Sequence, residues 1–213
     1  MNKFINKIIQ GDCLELMAEL PDDSYDLAIT DPPYNIVSQQ LRGIGSRIDK
    51  TGKMNEWNNI KPTQEYFDEL FRVSKHQIIW GANNFTLPDT EYFIIWYKKQ
   101  TVANFASAEY AWTNCRMPAK VFEHSIHKEM AYRKKHGGKI HPTQKPVALY
   151  QWLLQNYANK GDTILDTHMG SGSSVIACLE EGFDYTAFEI DKEYFDSANK
   201  RIKEYQQQLK LFA

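Results

Sequence analysis

Four consecutive residues, Asp31-Pro32-Pro33-Tyr34, combine the groups that would hold a planar molecule carrying an amino group. The Asp31 carboxylate and the backbone carbonyls of the turn accept hydrogen bonds, and the prolines add no N–H donor that would compete for them. The Tyr34 ring offers a stacking face, and stacking of a nucleobase on an aromatic ring contributes about 1–3 kcal/mol. The set therefore suits the exocyclic amine of a nucleobase. Taken alone, the tetrapeptide is equally compatible with a rigid surface turn capped by Asp31.

A second stretch, residues 166–174, has the composition of a loop that approaches a ligand closely. Gly170 and Gly172 permit close backbone approach, and free N–H groups at the start of the following helix would face an anionic group favourably. A single Gly-Ser-Gly is weak evidence for a ligand site on its own. Here it joins a predicted strand to a predicted helix, which strengthens the indication. A nicotinamide dinucleotide is the competing ligand, against which the loop lacks the full G-x-G-x-x-G spacing.

Two more acidic residues, Asp12 and Glu189, follow short apolar segments that read as strands. In an open α/β sheet, ligands lie beyond the carboxyl ends of the strands, so both acids are candidate ligand contacts. Glu189 ends the second strand of its half, where an acid is expected to bind ribose hydroxyls. The position of Asp12 also allows it to cap a helix, and Asp191 reads as the cap of the final helix.

Hydrophobic spacing predicts the elements that position these residues. The predicted strands cover residues 6–10, 25–30, 77–80, 92–97, 108–113, 163–165 and 185–188. The predicted helices cover residues 14–20, 62–73, 147–158 and 175–181, and a last helix follows Asp191. This alternation predicts an α/β fold. The strands at 92–97 and 108–113 follow each other without a long helix, which predicts an antiparallel hairpin at the sheet edge.

Three motifs together resemble one enzyme family. The residues Asp31 to Tyr34 resemble the catalytic motif of amino-methyltransferases that use S-adenosylmethionine. The segment His141-Pro142-Thr143-Gln144-Lys145-Pro146 resembles the one that β-class DNA adenine methyltransferases carry just before their cofactor half. Residues 165–174 resemble the glycine-rich cofactor loop of that family. The motifs occur in the family's permuted order, with the catalytic half first, and the resemblance covers nearly all of the chain apart from the recognition segments.

The resemblance implies a Rossmann-like methyltransferase fold: a mainly parallel, seven-stranded sheet with an antiparallel edge hairpin and helices on both faces. It implies one catalytic domain over residues 1–213, with DNA-facing insertions at 35–60 and 114–140. A length of 213 residues with 42% apolar residues is consistent with one good core.

The resemblance also implies roles for individual residues, with S-adenosylmethionine as the cofactor and no metal. The catalytic residues would be Asp31, Pro32, Pro33 and Tyr34. The cofactor-binding residues would be Asp12, Lys145, Asp166, His168, Gly170, Ser171, Gly172, Ser173 and Glu189. Lys145 would meet the cofactor carboxylate or a DNA phosphate; its alternative is a surface lysine before a helix-starting proline. The chain departs from the family at Thr167 and His168, which replace the usual proline and aromatic residue.

The reaction implied is methyl transfer to the 6-amino group of a flipped adenine in DNA. Amino-cytosine methylation is the nearest alternative, although those enzymes usually carry serine in place of Asp31. No cysteine lies near the catalytic turn, which argues against methylation at carbon 5 of cytosine. Methyltransferases that act on structured RNA or on a protein glutamine fit the sequence less well, because the permuted motif order resembles that of DNA enzymes. A non-catalytic nucleotide- or DNA-binding module stays open because of Thr167 and His168.

Charge is unevenly distributed along a chain whose net charge is −2. Residues 114–145 hold eight basic and two acidic side chains, a net of +6, and this segment is the expected phosphate-facing surface. The alternative is a solvated loop. The expected DNA-binding residues are Arg42, Arg47, Lys128, Arg133, Lys134, Lys135 and Lys139.

Cysteine spacing and hydropathy indicate the compartment. Cys13, Cys115 and Cys178 show no C-x-x-C spacing, so neither a disulfide framework nor a zinc site is predicted. The apolar stretch before residue 10 is too short for a signal peptide, and no window approaches the about 20 apolar residues that span a bilayer. We expect a cytoplasmic protein with double-stranded DNA as its partner and no membrane. The resemblance also allows a cognate restriction endonuclease and a homodimer.

Replacing Arg133, Lys134 and Lys135 together by alanine should flatten the plot of log DNA affinity against log salt by about 2–3, because each phosphate contact contributes about −0.9 to the slope. Binding titrations over a range of salt concentrations measure this. Phosphate contacts do not read sequence, so the preferred site should be kept. A relaxed site preference in Arg133→Ala alone would instead indicate base readout. If the triple variant binds DNA like the parent at every salt concentration, the DNA-binding role would pass to residues 35–60.

Overall fold

The computed structural model describes residues 2–34, 61–100, 106–125, 128–130, 138–141 and 143–212. Within these residues, eight strands form one sheet with helices packed on both faces. The strands are β1 (Lys7–Gln10), β2 (Tyr25–Thr30), β3 (Ser74–Trp80), β4 (Phe93–Tyr97), β5 (Ala108–Thr113), β6 (Lys120–Glu123), β7 (Thr163–Asp166) and β8 (Asp184–Glu189). The helices used below are α1 (Cys13–Ala18), α2 (Gln64–Val73), α3 (Val147–Tyr157), α4 (Ser173–Glu181) and α5 (Lys192–Phe212).

The strand order is β1-β8-β7-β2-β3-β5-β4-β6. β5 is antiparallel to both β3 and β4, and the other described pairings are parallel. The strands other than β5 therefore end at one edge of the sheet, which we call the carboxyl edge. β5 runs the opposite way, so it brings its first residues to that edge. These pairings confirm the α/β fold class and the β4–β5 hairpin.

The sheet has one strand more than predicted because β6 pairs in parallel with β4. The β4–β5 hairpin is therefore not at the edge of the sheet. β6 also lies inside residues 114–140, which the sequence predicted as an insertion. Lys120 Nζ donates to Asn156 Oδ1 on α3 at 2.7 Å, which ties this part of the basic segment to the domain.

The core lies on both faces of the sheet because its central strands are apolar on both sides. On β2, Leu27 and Ile29 pack with α3 and α4, whereas Ala28 packs with α1 and α2. Continuous apolar runs of this kind are typical of parallel strands covered on both faces. Full burial of each leucine or isoleucine stabilises the fold by about 1.5–3 kcal/mol. The packed strands thus form a rigid support for the loops at the carboxyl edge.

Helix boundaries follow from specific capping residues. Asp12 Oδ1 accepts a hydrogen bond from the Leu14 N–H at 2.8 Å, as expected of an N-cap. Asp191 Oδ1 accepts the N–H groups of Glu193 and Tyr194, at 2.8 and 3.0 Å, which confirms the predicted cap of α5. α4 is bounded by Gly172 and Gly182, with φ of 73° and 76°.

Gly172→Ala should destabilise the protein more than Gly182→Ala, by about 1–3 kcal/mol. Both positions have positive φ, so alanine is strained at each. At residue 172 the new Cβ would also lie 2.9 Å from Ile202 Cδ1, whereas at residue 182 it would meet nothing within 4 Å. Urea unfolding of the two variants measures the difference. Equal losses would show that α5 does not pack tightly on this turn.

Candidate active site

Asp31 follows β2 directly at the carboxyl edge and is largely buried, with 14% of its side chain exposed. Its Oδ2 accepts a hydrogen bond from Lys145 Nζ at 2.5 Å, and its Oδ1 accepts one from the Tyr34 hydroxyl. The carboxylate is therefore held between a cation and a hydroxyl group. Asp31 and Tyr34, the first and last residues of the predicted motif, are in direct contact in the fold.

The Tyr34 ring lies against Gly81, the residue that follows β3. Gly81 has φ of +67°, and a Cβ there would lie 2.1 Å from Tyr34 Cε1. A side chain at position 81 would thus displace the ring. Sequence reasoning did not single out Gly81, although a glycine directly after a buried strand at the carboxyl edge is a recognisable signal for close approach.

Lys145 lies inside the site, with only 5% of its side chain exposed. Besides Asp31, it contacts Glu109 Oε2 at 3.0 Å, and its ammonium lies 5.5 Å from the centre of the Trp80 ring. The surface-lysine alternative is therefore wrong. The structure brings Lys145 to Asp31 and Glu109, and its role towards a cofactor carboxylate or a DNA phosphate stays a prediction.

Glu109 and Lys98 complete this cluster and were missed in the sequence. Glu109 lies at the start of β5, and its Oε1 accepts a hydrogen bond from Lys98 Nζ at 2.5 Å. A glutamate near the start of a strand carries no signal by itself. Its place in the site depends on the antiparallel direction of β5, which turns the start of that strand towards the carboxyl edge.

Burial and charge set the proton affinities of the cluster in different directions. Burial raises the pKa of Asp31 against the opposing effect of Lys145, and the negative charge of Glu109 raises it further. Burial also acts to raise the pKa of Glu109, but Lys145 and Lys98 outweigh it and lower the value to about 2. The two carboxylates raise the pKa of Lys145 in spite of its burial. At neutral pH Lys145 and Glu109 are charged, and Asp31 is the carboxylate with the higher proton affinity.

Asp166, the last residue of β7, is 2% exposed. Its oxygens accept hydrogen bonds from the Ser174 hydroxyl at 2.5 Å and the His168 N–H at 3.0 Å. Among the described residues, no lysine or arginine forms an ion pair with it. Burial therefore raises the pKa of Asp166 to about 7 in spite of the two hydrogen bonds.

Residues 167–172, which we call the glycine loop, join β7 to α4, and Glu189 fixes this loop from the neighbouring strand β8. Its Oε2 accepts the Gly170 N–H at 2.8 Å, and its Oε1 accepts the Asp191 N–H at 2.9 Å. The side chain is buried, and burial raises the pKa of its carboxyl. Glu189 thus holds the start of the loop, and its role towards ribose hydroxyls stays a prediction.

Arg201 of α5 holds the other side of the loop. Its Nη1 donates to the Ser171 carbonyl at 2.8 Å and lies 3.1 Å from Ser173 Oγ. No sequence signal marks Arg201, because it lies in an ordinary charged helix more than a turn away from any motif. The structure therefore shows how Gly170, Ser171, Gly172 and Ser173 are kept in one conformation between β8 and α5.

Thr167 and His168, the two departures from the family pattern, form a buried polar network with β2 and α2. Thr167 Oγ1 lies 2.7 Å from both Thr30 Oγ1 and Tyr66 Oη. His168 Nδ1 lies 3.2 Å from Thr30 Oγ1 and 3.0 Å from Thr167 Oγ1. Burial lowers the pKa of His168 to about 4, so its ring is neutral at pH 7. These residues tie the glycine loop to Thr30, the residue before Asp31.

The other expected site residues have varied surroundings. Asp12 is exposed and caps α1, which agrees with its alternative role. His141 packs edge-on against Tyr194, with ring centres 4.4 Å apart, and lies beside Gly170. The segment before α3 thus contacts the turn at Gly170.

Two of the expected DNA-binding residues, Lys128 and Lys139, are exposed. The expected residues that lie outside the described part of the chain are Arg42, Arg47, Arg133, Lys134 and Lys135. Residues 35–60 and Pro142 also lie outside it. In the part of the chain that is described, no group of three or more His, Cys, Asp or Glu side chains could hold a metal ion. No helix in this part is long and apolar enough to cross a membrane.

Asp166→Asn should change the pH dependence of stability. The carboxyl has a pKa of about 7 when folded, against an ordinary value of 3.8, so between these values the folded state binds a proton that the unfolded state lacks. Stability should therefore fall as the pH rises through this window, by about 1.4 kcal/mol per pH unit for one group. Asp166→Asn has no carboxyl that titrates at this position, so this loss of stability should be absent in the variant.

Urea unfolding of the protein without added ligand, at pH values from about 4.5 to 7.5, tests the prediction. The difference in unfolding free energy between variant and parent should shift in favour of the variant as the pH rises. Asp196→Asn, on the exposed face of α5, is the matched control and should leave the difference flat. Parallel curves for Asp166→Asn and the parent would mean that Asp166 is ionised in the folded protein.

Known proteins resemble the chain over most of its length. Type II methyltransferase M.HinfI of Haemophilus influenzae is 26% identical over an alignment of 253 residues, which covers 96% of this chain and 70% of the relative. The crystal structure of an M1.HpyAVI–SAM complex matches with a TM-score of 0.59 and 21% identity, over 92% of this chain and 98% of that one. PvuII DNA methyltransferase, which is cytosine-N4-specific, matches with a TM-score of 0.58 and 15% identity, over 92% and 85%. The two structures support the fold alone.

A family model for DNA methylases, N6_N4_Mtase, matches residues 78–200, from β3 to α5. The match includes Glu109, Lys145 and the whole glycine loop. It spans more than half of the chain, and the chain therefore belongs to the DNA methylase family.

Proposed function

We propose that the protein transfers a methyl group from S-adenosylmethionine to the 6-amino group of adenine in DNA. Family membership supports the coarser statement, a DNA methyltransferase that uses S-adenosylmethionine. The transfer to an amino group rests on one observation: the largely buried Asp31 carboxylate at the carboxyl edge, next to the Tyr34 ring. The choice of adenine over cytosine rests on the resemblance, because amino-cytosine enzymes usually carry serine where this chain has Asp31.

The surroundings of Asp166 fit this cofactor. A buried carboxyl with no cationic partner among the described residues favours a positively charged ligand, since such a ligand would restore its ionised form. S-adenosylmethionine supplies an activated methyl group on a cationic sulfonium and also carries an ammonium group. The buried carboxyl ends β7, directly before the turn that carries Gly170 and Gly172. We assign Asp166 to the cationic part of the cofactor.

Further contacts to the cofactor follow from position. Glu189 ends β8 beside the loop and is assigned to the ribose hydroxyls, and Asp12, beyond β1, to the adenine of the cofactor. The backbone between Gly170 and Ser173 would line the methionine end. His168 would face the pocket as a neutral ring held by Thr30 and Thr167.

Asp31 and Tyr34 would hold the substrate base. The Asp31 carboxylate and the Pro32 carbonyl accept hydrogen bonds from the two amine hydrogens, while the Tyr34 ring stacks on the base. Placing the amine in line with the methyl group can contribute about 7–11 kcal/mol to lowering the barrier. Flipping the base costs a few kcal/mol, which stacking on Tyr34 partly offsets.

Charge develops on the amine during transfer. The nitrogen forms a bond to the methyl carbon as the carbon–sulfur bond breaks, and the electron pair of that bond stays on sulfur. The nitrogen then carries a positive charge and is acidic. Asp31 stabilises this charge and accepts one proton afterwards, so it need not be a strong base before the transfer.

Amino-cytosine methylation is the second candidate, because the cytosine-N4-specific PvuII enzyme has a similar fold. The same acceptors would also hold the amine of cytosine. The resemblance favours adenine, since amino-cytosine enzymes usually carry serine where this chain has Asp31. A non-catalytic binding module would leave the buried Asp31 cluster without a use. A restriction partner, a homodimer and a cytoplasmic location stay predictions.

Mass spectrometry of nucleosides tests the proposal directly. The protein would be incubated with mixed-sequence double-stranded DNA and S-adenosylmethionine carrying a deuterated methyl group, and the DNA digested. We expect labelled 6-methyldeoxyadenosine. Labelled 4-methyldeoxycytidine would favour the second candidate, and no label in either nucleoside would favour the binding module.

Asp31→Ala should lower methyl transfer by at least about 100-fold, because it removes the acceptor that faces the amine. Cofactor affinity should stay within a few-fold, since Lys145 keeps Glu109 as its partner and Asp166 is unchanged. A turnover assay and calorimetric titration measure the two effects. Asp68→Ala, on the exposed outer side of α2, is the control and should match the parent. Full activity in Asp31→Ala would overturn the assignment.

A further inference from the structure

The ammonium of Lys145 lies between two carboxylates that come from distant parts of the chain. Its Nζ is 2.5 Å from Asp31 Oδ2 and 3.0 Å from Glu109 Oε2. Asp31 follows β2, Glu109 starts β5, and Lys145 precedes α3. The position of the Asp31 carboxylate therefore depends on Lys145, which is far from the motif in the sequence, and Glu109 acts on Asp31 through that lysine.

Lys98 closes the arrangement on the far side. It pairs with the second oxygen of Glu109 at 2.5 Å, and its side chain is 18% exposed. The four groups form the chain Lys98–Glu109–Lys145–Asp31, with two positive and two negative charges. Buried charges are stable only when they are paired, so each member of the chain fixes its neighbours.

Other groups face the cluster from the surrounding elements. The Tyr34 hydroxyl donates to Asp31, the Trp80 ring of β3 lies against Lys145, and Tyr150 of α3 faces the Lys145 charge. Asp166 of β7 interacts with Asp31 at longer range. Among these, Glu109 is the negative group that shares the cation of Asp31. Without Glu109, Lys145 would bind Asp31 alone. The lone pairs of Asp31 would then be less available to a substrate amine.

We propose that Glu109 is a positioning residue, which divides the charge of Lys145 so that the Asp31 carboxylate stays in place and free to accept the substrate amine. The inference rests on the proposed function of Asp31. It assigns no contact between Glu109 and the substrate or the cofactor.

Glu109→Gln tests the proposal, because it keeps the shape and removes the charge. Losing a negative neighbour lowers the pKa of Asp31, so the acidic limb of the pH–rate profile should move to lower pH. The plateau rate should fall about ten- to hundredfold, because Asp31 becomes a weaker and less well placed acceptor. Single-turnover methylation measures the pH–rate profile and the plateau rate. The affinity for the cofactor should be unchanged.

Lys98→Gln is the second variant, and it should act in the opposite direction. It leaves the charge of Glu109 less neutralised, so the acidic limb should move to higher pH. A merely structural defect would not produce shifts of opposite sign in the two variants. Glu123→Gln is the matched control, because Glu123, at the end of β6, pairs with Lys99, which follows β4, and is exposed. It should leave the profile unchanged.

Carbon-13 NMR titration of the aspartate carboxyls, without cofactor or DNA, gives a readout that does not need activity. Asp31→Asn identifies the signal of Asp31. That signal should titrate at lower pH in Glu109→Gln and at higher pH in Lys98→Gln. An inactive parent would overturn the proposed function but leave this test standing. An unchanged Asp31 titration in both variants would overturn the inference, and if Glu109→Gln does not fold, the result for Lys98→Gln decides.

Discussion

The buried ammonium of Lys145 joins the catalytic turn to the rest of the site. An isolated charge at 5% exposure would be strongly unfavourable, and it is tolerated because Asp31 and Glu109 both lie within 3.0 Å. The same pairing decides where Asp31 sits, and Asp31 in turn accepts the hydroxyl of Tyr34. The ring that would stack on the base is thus positioned by the hydrogen bond of its hydroxyl to Asp31 and by the close approach of Gly81.

The cofactor half is held by hydrogen bonds to the backbone instead. Glu189 and Arg201 fix the two sides of the glycine loop, and Thr167 links it through Thr30 to the residue before Asp31. Because β7 and β2 are adjacent in the sheet, this link is short and buried. The two halves of the reaction are therefore kept in a fixed relation by packed side chains at the centre of the sheet.

The sequence predicted whatever is encoded locally, and it failed where the site depends on topology. The strands, the helices, the cap at Asp191 and the acids at the carboxyl edge follow from periodicity and from the ends of strands. Glu109 could not be found this way, because its role depends on β5 running antiparallel between β3 and β4. Lys145 was selected as a cation for a ligand, whereas its burial follows from long-range contacts that no local pattern records. The short strand β6 was missed because its four residues lie in a basic segment whose charge reads as loop.

The charges in the two halves match the two substrates that we propose. The amine of a base is neutral when it enters, and it would meet a cluster in which two lysines and two carboxylates already balance, so little charge has to be desolvated on binding. The cofactor is cationic, and Asp166 is a buried carboxyl without a cation among the described residues. Cofactor binding would therefore supply the missing positive charge. Burial and the negative charge of Asp31 both raise the pKa of Asp166. A bound cation next to Asp166 would offset the repulsion between the two carboxylates and would favour the ionised Asp31 that accepts the amine.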